Sequence, residues 1–510
     1  MVKLTIDHIP VEVKEGVSVM EAASILGITI PSMCYRHGYT NHPSCMVCMV
    51  KELDSNQLFP SCAMPVSEGM NISTDCIEVT DARREALELL LSDHVGDCEA
   101  PCRLSCPAFM DIPLMNRLIA SGDFEKALRI AREEIALPLV LGYICPAPCE
   151  KACKRKPIDQ AVSICLLKRS AAQYGDFNKI MPTISNESGK RVAIIGAGPA
   201  GLSAAFYLLK NGHGCVLFDQ HEKAGGAMQY DIPDDRLPKE MLEAEIAVIS
   251  RMGAEFSLGV KVTGESFPES IRPGFDAVIL AMGNGSAGWE SVLSAPGVFV
   301  CGDKPGDQKM AVHSVARGKM AALQVENYLA GQPDKMIAGK RKSISAIGPL
   351  MEPEWKEYLK ESIPGSRLEP MGGVLQGFSR EEAMQEALRC MHCDCRKPDS
   401  CKLRTYGEAY GANRRRFAGT DRNLSTRSLQ HEFVVYEAEK CIRCGLCVEI
   451  ATKHGEPIGL TFAGRGFDVR ISVPFHETMM EALTLTAAAC VEACPTGALA
   501  FKNSEERSSG

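Results

Sequence analysis

The stretch Arg191–Met228, RVAIIGAGPAGLSAAFYLLKNGHGCVLFDQHEKAGGAM, constrains the fold more than any other part of this 510-residue chain. A short apolar run, Val192–Ile195, enters Gly196-x-Gly198-x-x-Gly201. A helical pattern to Lys210 and a second apolar run, Cys215–Phe218, follow, ending in Asp219. Gly196 allows a tight strand-to-helix turn, Gly198 lets a pyrophosphate approach the backbone, and Gly201 lets helix and strand pack closely. The helix N-terminus offers free N–H groups to the phosphate. Asp219, at the spacing expected for a ribose-binding acid, can accept the ribose hydroxyls. The stretch therefore predicts a βαβ unit with a bound dinucleotide, and Gly225-Gly226 follows its second strand.

Composition bounds the rest. The chain is long enough for several domains and is 45% hydrophobic and 24% charged, as in ordinary globular proteins. Its formal net charge of -8 argues against nucleic acid as a partner. No apolar run approaches the roughly 18 residues of a membrane span, and the N-terminal MVKLTIDHIP reads as a strand without a signal-peptide core. The expectation is a cytoplasmic protein. Cysteine is the outlier: there are 23, mostly at two- or three-residue gaps. In a large chain without an export signal such clusters read as metal sites. Cys76, Cys215, Cys301 and Cys490 fall outside the groups and read as packed or incidental thiols.

Residues 1–78 alternate as strands, then a helix, then Cys34-x10-Cys45-x2-Cys48-x13-Cys62. One loop with three thiolates and a fourth from a following strand is how a β-grasp ferredoxin encloses a [2Fe–2S] cluster; the long first gap argues against zinc. The spacing resembles the electron-input subunit of respiratory complex I and iron-only hydrogenases.

Next come His94-x3-Cys98-x3-Cys102-x3-Cys106-Pro107, helical sequence over Ile112–Ile135, then Cys145-x3-Cys149-x3-Cys153 and Cys165. This resembles the N-terminal iron–sulfur domain of glutamate synthase small subunits and dihydropyrimidine dehydrogenase. The resemblance implies two [4Fe–4S] clusters, one on Cys98, Cys102 and Cys153, the other on Cys106, Cys145 and Cys149. The family's first cysteine is missing, and His94, at the His-x3-Cys spacing of the complex I subunit, is the expected replacement. The family's Gln or Glu ligand of the second cluster is here Lys168, which cannot ligate while protonated. Cys165, three residues earlier on the same helix face, is expected instead.

Phe275–Gly283 (FDAVILAMG) and Gly297–Asp303 (GVFVCGD) resemble two further motifs of FAD-binding oxidoreductases, which selects FAD over NAD(P). Gly283, Gly302 and Asp303 join the cofactor-binding set, with Asp303 at the flavin's ribityl-phosphate end. Related flavoproteins insert a nicotinamide-binding fold between these motifs. Here Asn284–Pro296 supplies 13 residues, whereas one βαβ unit needs about 30. No second Gly-rich fingerprint and no dithiol of a disulfide reductase follows, and no catalytic residue is identified. His313 reads as a packed or surface histidine.

Farther on, Lys340-Arg341-Lys342 lies in a connecting arm, and the helical pattern Arg380–Leu388 delivers Cys390-x2-Cys393-x-Cys395-x5-Cys401. RCMHCDC resembles the cubane-binding start of glutamate synthase small subunits, implying [4Fe–4S], with four-cysteine zinc as the alternative. Arg414-Arg415-Arg416 reads as a solvated face. Cys441-x2-Cys444-x2-Cys447 and the distant Cys494-Pro495 match a bacterial ferredoxin pattern, with Ala451 where a two-cluster domain has its next cysteine. One [4Fe–4S] cluster is expected there, Cys490 is a remnant, and Asn503–Gly510 is a disordered tail.

The expected fold class is multidomain α/β and α+β. It comprises a β-grasp [2Fe–2S] ferredoxin domain (1–78), a helical domain with two cubane sites (79–187) and a Rossmann-like FAD domain without a nicotinamide insertion (188–335). A linker with a four-cysteine site (336–425) and a single-cluster ferredoxin-like domain (426–510) follow. The resemblances imply an electron-transfer subunit with FAD, one [2Fe–2S] and four [4Fe–4S] clusters. Its partners would be a hydrogenase, a formate dehydrogenase, an NAD(P)-binding flavoprotein or a ferredoxin, with electron bifurcation among the options. The alternative is a stand-alone oxidoreductase of the glutamate synthase small-subunit type, acting on NAD(P)H or a small organic substrate.

Overall fold

The computed structural model describes the chain apart from residues 96–97, 178, 268–270, 284–288, 290–291, 294, 302–309, 333–349, 361, 398, 418–430 and 503–510. Gly302, Asp303, the Lys340–Lys342 run and the C-terminal tail therefore lie outside the described residues. The chain divides into two compact units, one of residues 1–99, 342–360 and 393–510, the other of residues 100–341 and 361–392.

The first unit opens with strands β1 (Val2–Ile6) and β2 (Ile9–Val13), joined by Asp7 and His8, both left-handed at φ 46° and 67°. Two such residues make the turn that matches the twist of a hairpin. With β3 (Met49–Glu52), β4 (Gln57–Pro60) and β5 (Asn71–Ser73) they form one mixed sheet in the order β2-β1-β5-β3-β4. Its parallel pair is β1 with β5. The helix Val19–Ile25 starts at a reciprocal cap, in which Ser18 Oγ accepts the Glu21 N–H (3.2 Å) and Glu21 accepts the Ser18 N–H (2.9 Å). It buries Val19, Met20, Ala22 and Ala23 against Leu4, Ile6, Val50 and Ile72. In the C-terminal part of this unit, strand Val434–Tyr436 pairs antiparallel with Leu499–Phe501, and Thr461–Ala463 with Arg470–Ser472. Helices Leu446–Lys453 and Ala487–Ala493 pack around Ile450, Cys490 and Val491.

The second unit holds a parallel sheet of β6 (Arg191–Ile195), β7 (Gly214–Asp219), β8 (Glu255–Leu258), β9 (Ala277–Leu280) and β10 (Val298–Val300), in the order β10-β9-β6-β7-β8. Strand order reverses between β6 and β9, which makes their carboxyl ends the topological switch point of a doubly wound sheet. Helix Pro199–Lys210 packs on helix Ala311–Leu329, where Gly318 permits the approach: a Cβ there would overlap the Ala200 carbonyl. The helical sequence expected over Ile112–Ile135 is two helices, Ile112–Ala120 and Phe124–Glu134. Gly122 (φ 82°) ends the first, and Asp123 caps the second by accepting the Lys126 N–H at 2.9 Å. Helices Pro138–Ile144, Ile164–Tyr174 and Arg380–Ala387 complete this layer. Among the described residues no helix is long and apolar enough to cross a membrane.

Candidate cofactor and cluster sites

At the switch point of the parallel sheet lies a cleft of about 1010 Å³, the size range of small-molecule and cofactor sites. Gly196, Gly198, Asp219, Gly226 and Gly283 line it. The glycines are there for space: a Cβ on Gly196 would overlap the Ala281 carbonyl, and one on Gly226 would come 2.8 Å from the Gly198 Cα. Gly201 stands behind the cleft, and its missing Cβ admits the Gly196 carbonyl beneath the helix. Asp219 Oδ2 accepts the Ala197 N–H (2.8 Å), and Oδ1 accepts the His221 N–H (2.9 Å). A carboxylate offers about four acceptor positions, so it can fix the glycine loop and still take a ribose hydroxyl. An acid here disfavours a 2′-phosphate. From helix Ala311–Leu329 it is Met310, Ala311, Ser314 and Arg317 that line the cleft, while His313 is not among the lining residues. Arg317 was not anticipated from sequence, since only helical register brings it to the site. Strand β10 pairs directly with β9, Val298 opposite Val278, and Trp289 and Val292 of the connecting segment are buried beside Phe267.

In the first unit, Cys34, Cys45, Cys48 and Cys62 are all buried and converge. Cys34 Sγ lies 3.4 Å from Cys45 Sγ. Hydrogen bonds from the Cys45 and Cys62 thiols hold Cys34 far below the usual thiol range, and one from Cys62 lowers Cys48 to about 7. Those same sulfur contacts, and then burial, push Cys45 and Cys62 well above the usual range, so the four share protons unequally and the raised pair must lose theirs to hold iron, because the thiolate is the metal ligand. Cys441, Cys444, Cys447 and Cys494 enclose a small cavity with Tyr436, Ile471 and Thr496. Burial first, then the neighbouring sulfurs, raise Cys441 to about 11 and Cys444 and Cys447 higher, so protons and iron compete there. Cys490 is not among the residues lining this cavity, and its Sγ lies 3.6 Å from the Cys447 carbonyl.

Cys395 and Cys401 are laid against the Cys494-Pro495 turn. Lys397 Nζ donates to the carbonyls of Val491 (2.7 Å) and Cys494 (2.6 Å), and the Lys402 N–H donates to the Pro495 carbonyl (2.8 Å). Cys395 Sγ occupies the space beside Gly497 that a Cβ would fill. Cys393 is half-buried nearby in sequence. Cys34, Cys45, Cys401 and Cys444, from three ligand sets, share one apolar cluster with Met33, Leu87, Leu91 and Leu403. His94 ends helix Ile77–Asp93, where the Val95 N–H donates to the Glu439 carbonyl (3.1 Å). Cys98 is buried beside the Glu99–Arg404 ion pair (2.6 Å). Arg416, itself exposed, pairs with the buried Glu88 at 2.8 Å.

In the second unit, Cys165 Sγ lies 3.8 Å from the Cys145 carbonyl, and its thiol interacts with those of Cys145 and Cys149. Buried Lys168 sits among Cys165, Cys145, Cys149 and Cys106. Burial lowers its ammonium pKa, yet those four thiols more than offset it, so Lys168 stays charged. Its charge favours the thiolate forms of those cysteines, against the Cys165 hydrogen bond and the burial that raise Cys145. Cys102 and Cys153 pack on the same core, on and just after the neighbouring helices Pro101–Ser105 and Pro148–Lys151. Cys390 follows Arg389, whose carbonyl accepts a hydrogen bond from Arg155, two residues after Cys153.

One feature of these sites has no sequence signal. Met46 between Cys45 and Cys48, Ala147 between Cys145 and Cys149, His392 between Cys390 and Cys393, and Arg443 between Cys441 and Cys444 are all left-handed, at φ 54°, 52°, 48° and 57°. Such backbone is costly without glycine and concentrates at functional sites. Among the described residues no three His, Cys, Asp or Glu side chains have the close geometry of a single bound ion.

Three domain families match the chain. They are a 2Fe-2S iron-sulfur cluster binding domain (1–76), the dihydropyrimidine dehydrogenase domain II, 4Fe-4S cluster (79–180), and an NAD(P)-binding Rossmann-like domain (194–248). The chain thus carries 2Fe-2S, 4Fe-4S and Rossmann-like domains. It is 38% identical over 188 residues to the NADPH-Fe(3+) oxidoreductase subunit beta of Geobacter sulfurreducens, a match covering 36% of this chain and 28% of that one. It is 36% identical over 207 residues to the NADP(+)-dependent formate dehydrogenase subunit beta of Moorella thermoacetica, covering 36% and 29%. With the glutamate synthase (NADPH) small chain of Bacillus subtilis the identity is 36% over 180 residues, covering 35% and 36%. The matched segment therefore spans about a third of each of these relatives.

Proposed function

We propose that this chain is the flavin- and cluster-bearing electron-transfer part of a multisubunit oxidoreductase. In this reading the cleft at the switch point binds FAD, which supplies the conversion between two-electron and one-electron chemistry. Cys34, Cys45, Cys48 and Cys62 hold one [2Fe–2S] cluster. Cys106, Cys145, Cys149 and Cys165 hold a [4Fe–4S] cluster, as do Cys441, Cys444, Cys447 and Cys494. Two further [4Fe–4S] clusters are built on Cys98, Cys102 and Cys153 and on Cys393, Cys395 and Cys401, with His94 and Cys390 as candidates to complete them.

The observation that carries the reading is the shared apolar cluster of Cys34, Cys45, Cys401 and Cys444. Ligands of three sets adjoin through packed side chains, as a conducting path needs and separate structural sites do not. Anaerobic analysis should find about 18 iron atoms and matching acid-labile sulfide per chain, from one two-iron and four four-iron clusters, with one FAD. About 14 iron with one zinc would make the Cys390–Cys401 set a zinc site, and fewer than about ten would sink the conducting-path reading. The partner is proposed to be a hydrogenase, a formate dehydrogenase or an NAD(P)-binding flavoprotein. The named formate dehydrogenase and NADPH-Fe(3+) oxidoreductase subunits among the relatives support that range.

A second reading, in which the cleft takes a nicotinamide nucleotide, is favoured by the NAD(P)-binding domain match over 194–248. Release of the bound nucleotide by denaturation and its identification by fluorescence and mass decides between FAD and NAD(P).

A further inference from the structure

Cys390 belongs by chain spacing with Cys393, Cys395 and Cys401, but the contacts around it tie it to another set. The residue before it, Arg389, is buried and fixed to the loop that follows Cys153. Its Nη2 donates to Asp159 Oδ1 (3.1 Å) and to the Gln160 carbonyl (2.8 Å), its Nη1 to Glu386 (2.9 Å), and its Nε to the Gly365 carbonyl (3.1 Å). Arg155, two residues after Cys153, is buried beside it. Nε and Nη2 of Arg155 donate to Asp159 (2.8 and 2.7 Å), Nη2 also to the Ile363 carbonyl (2.8 Å), and Nη1 to the carbonyl of Arg389 itself. Glu386 in turn accepts the N–H groups of Ser163 and Leu368, each at 2.9 Å.

Burying two guanidinium groups is expensive unless every arm is paired, and here every nitrogen of both is. Such a network fixes register: it ties the backbone next to Cys390 to Arg155 and to the loop that follows Cys153. The groups that act on the Cys390 thiol are the Asn116 side chain, which hydrogen-bonds it, the His392 amide, Cys153 and Arg117. Asn116 is itself buried in helix Ile112–Ala120, on which helix Arg380–Ala387 packs, and its Oδ1 has no hydrogen-bond partner. An N–H donated to a cluster sulfur is one of the contacts that set cluster potential. His392, left-handed at φ 48°, separates Cys390 from Cys393 in the chain.

We propose that Cys390 is a ligand of the [4Fe–4S] cluster held by Cys102 and Cys153, taking the place that spacing alone gives to His94. The assignment rests on the cluster-carrier reading above, so iron in the unaltered chain is measured first; its absence refutes that reading, whereas the variants address Cys390. Cys390→Ala and Cys153→Ala should each lose about four iron atoms and the same EPR signal, and the double variant should lose no more than either. Cys390→Ala/Cys395→Ala should lose about eight. The assignment is overturned if Cys390→Ala/Cys395→Ala loses no more iron than Cys395→Ala alone, or if Cys390→Ala keeps its iron and spectrum. Asn116→Leu keeps every cysteine and guards against a folding failure. Loss of its N–H should lower the midpoint potential of the EPR signal that Cys153→Ala abolishes and leave the others in place. A shift confined to the signal lost in Cys395→Ala, or no shift at all, contradicts the proposal.

Discussion

Between the cysteines of four ligand groups, a non-glycine residue carries a left-handed backbone, and Ala147 is the simplest of them to test. Left-handed conformation costs an L-residue about 1–2 kcal/mol, while glycine adds up to about 1 kcal/mol of unfolded-state entropy. Ala147→Gly is therefore expected to be neutral to stabilising by up to about 1 kcal/mol, and Ala147→Val destabilising, in chemical denaturation of the iron-loaded chain. At Gly497 the requirement is opposite. A Cβ would overlap the Cys395 sulfur, so Gly497→Ala should cost about 1–3 kcal/mol and lower iron content, whereas Gly411→Ala, a left-handed glycine with open space around it, should keep its iron. Chain spacing was enough to group Cys34 with Cys45, Cys48 and Cys62, and Cys441 with Cys444 and Cys447. It does not show that the backbone before Cys390 is held by Arg155, 234 residues away from Arg389 in the chain.

Among the elements, those with strong local signals were legible. The Gly196–Gly201 fingerprint sits between a parallel strand and a helix, and Ser18 and Glu21 start their helix as a reciprocal cap. The break at Ser121-Gly122-Asp123 was not read, because apolar residues keep a helical period on both sides of it. Arg317 was missed because nothing local marks a cleft-facing turn of helix Ala311–Leu329. Helix Pro138–Ile144 begins with no cap of its own, and Glu245, from helix Lys239–Arg251, accepts its Leu139 and Val140 N–H groups at 2.9 and 2.8 Å. Burial raises the Glu245 carboxyl from its ordinary 4.5 to about 7, against those two hydrogen bonds and Arg132. The folded state then holds the extra proton between about pH 4.5 and pH 7, and stability from this group falls as pH rises through that window. Denaturation at a series of pH values should show a shallower fall over that window in Glu245→Gln than in the parent chain; an equal slope would show that Glu245 titrates normally.

At the scale of the whole chain, a cleft of dinucleotide size and several cysteine sets accompany a sheet in which Asn284–Pro296 lies on the connection between β9 and β10. Those 13 residues are too few for a second nucleotide-binding fold. Hydride transfer requires nicotinamide and flavin to be held in near-attack geometry, and the sequence between these strands offers nothing long enough to present the nicotinamide. The most direct test is anaerobic stopped-flow spectroscopy of the purified, FAD- and iron-loaded chain. Dithionite or a low-potential ferredoxin should bleach the flavin, NADH and NADPH should not, and adding a partner subunit with its own nucleotide site should restore the nicotinamide reaction. Flavin bleaching by NADH or NADPH in the isolated chain, at the roughly 1 to 1000 per second typical of enzymes, would contradict the account.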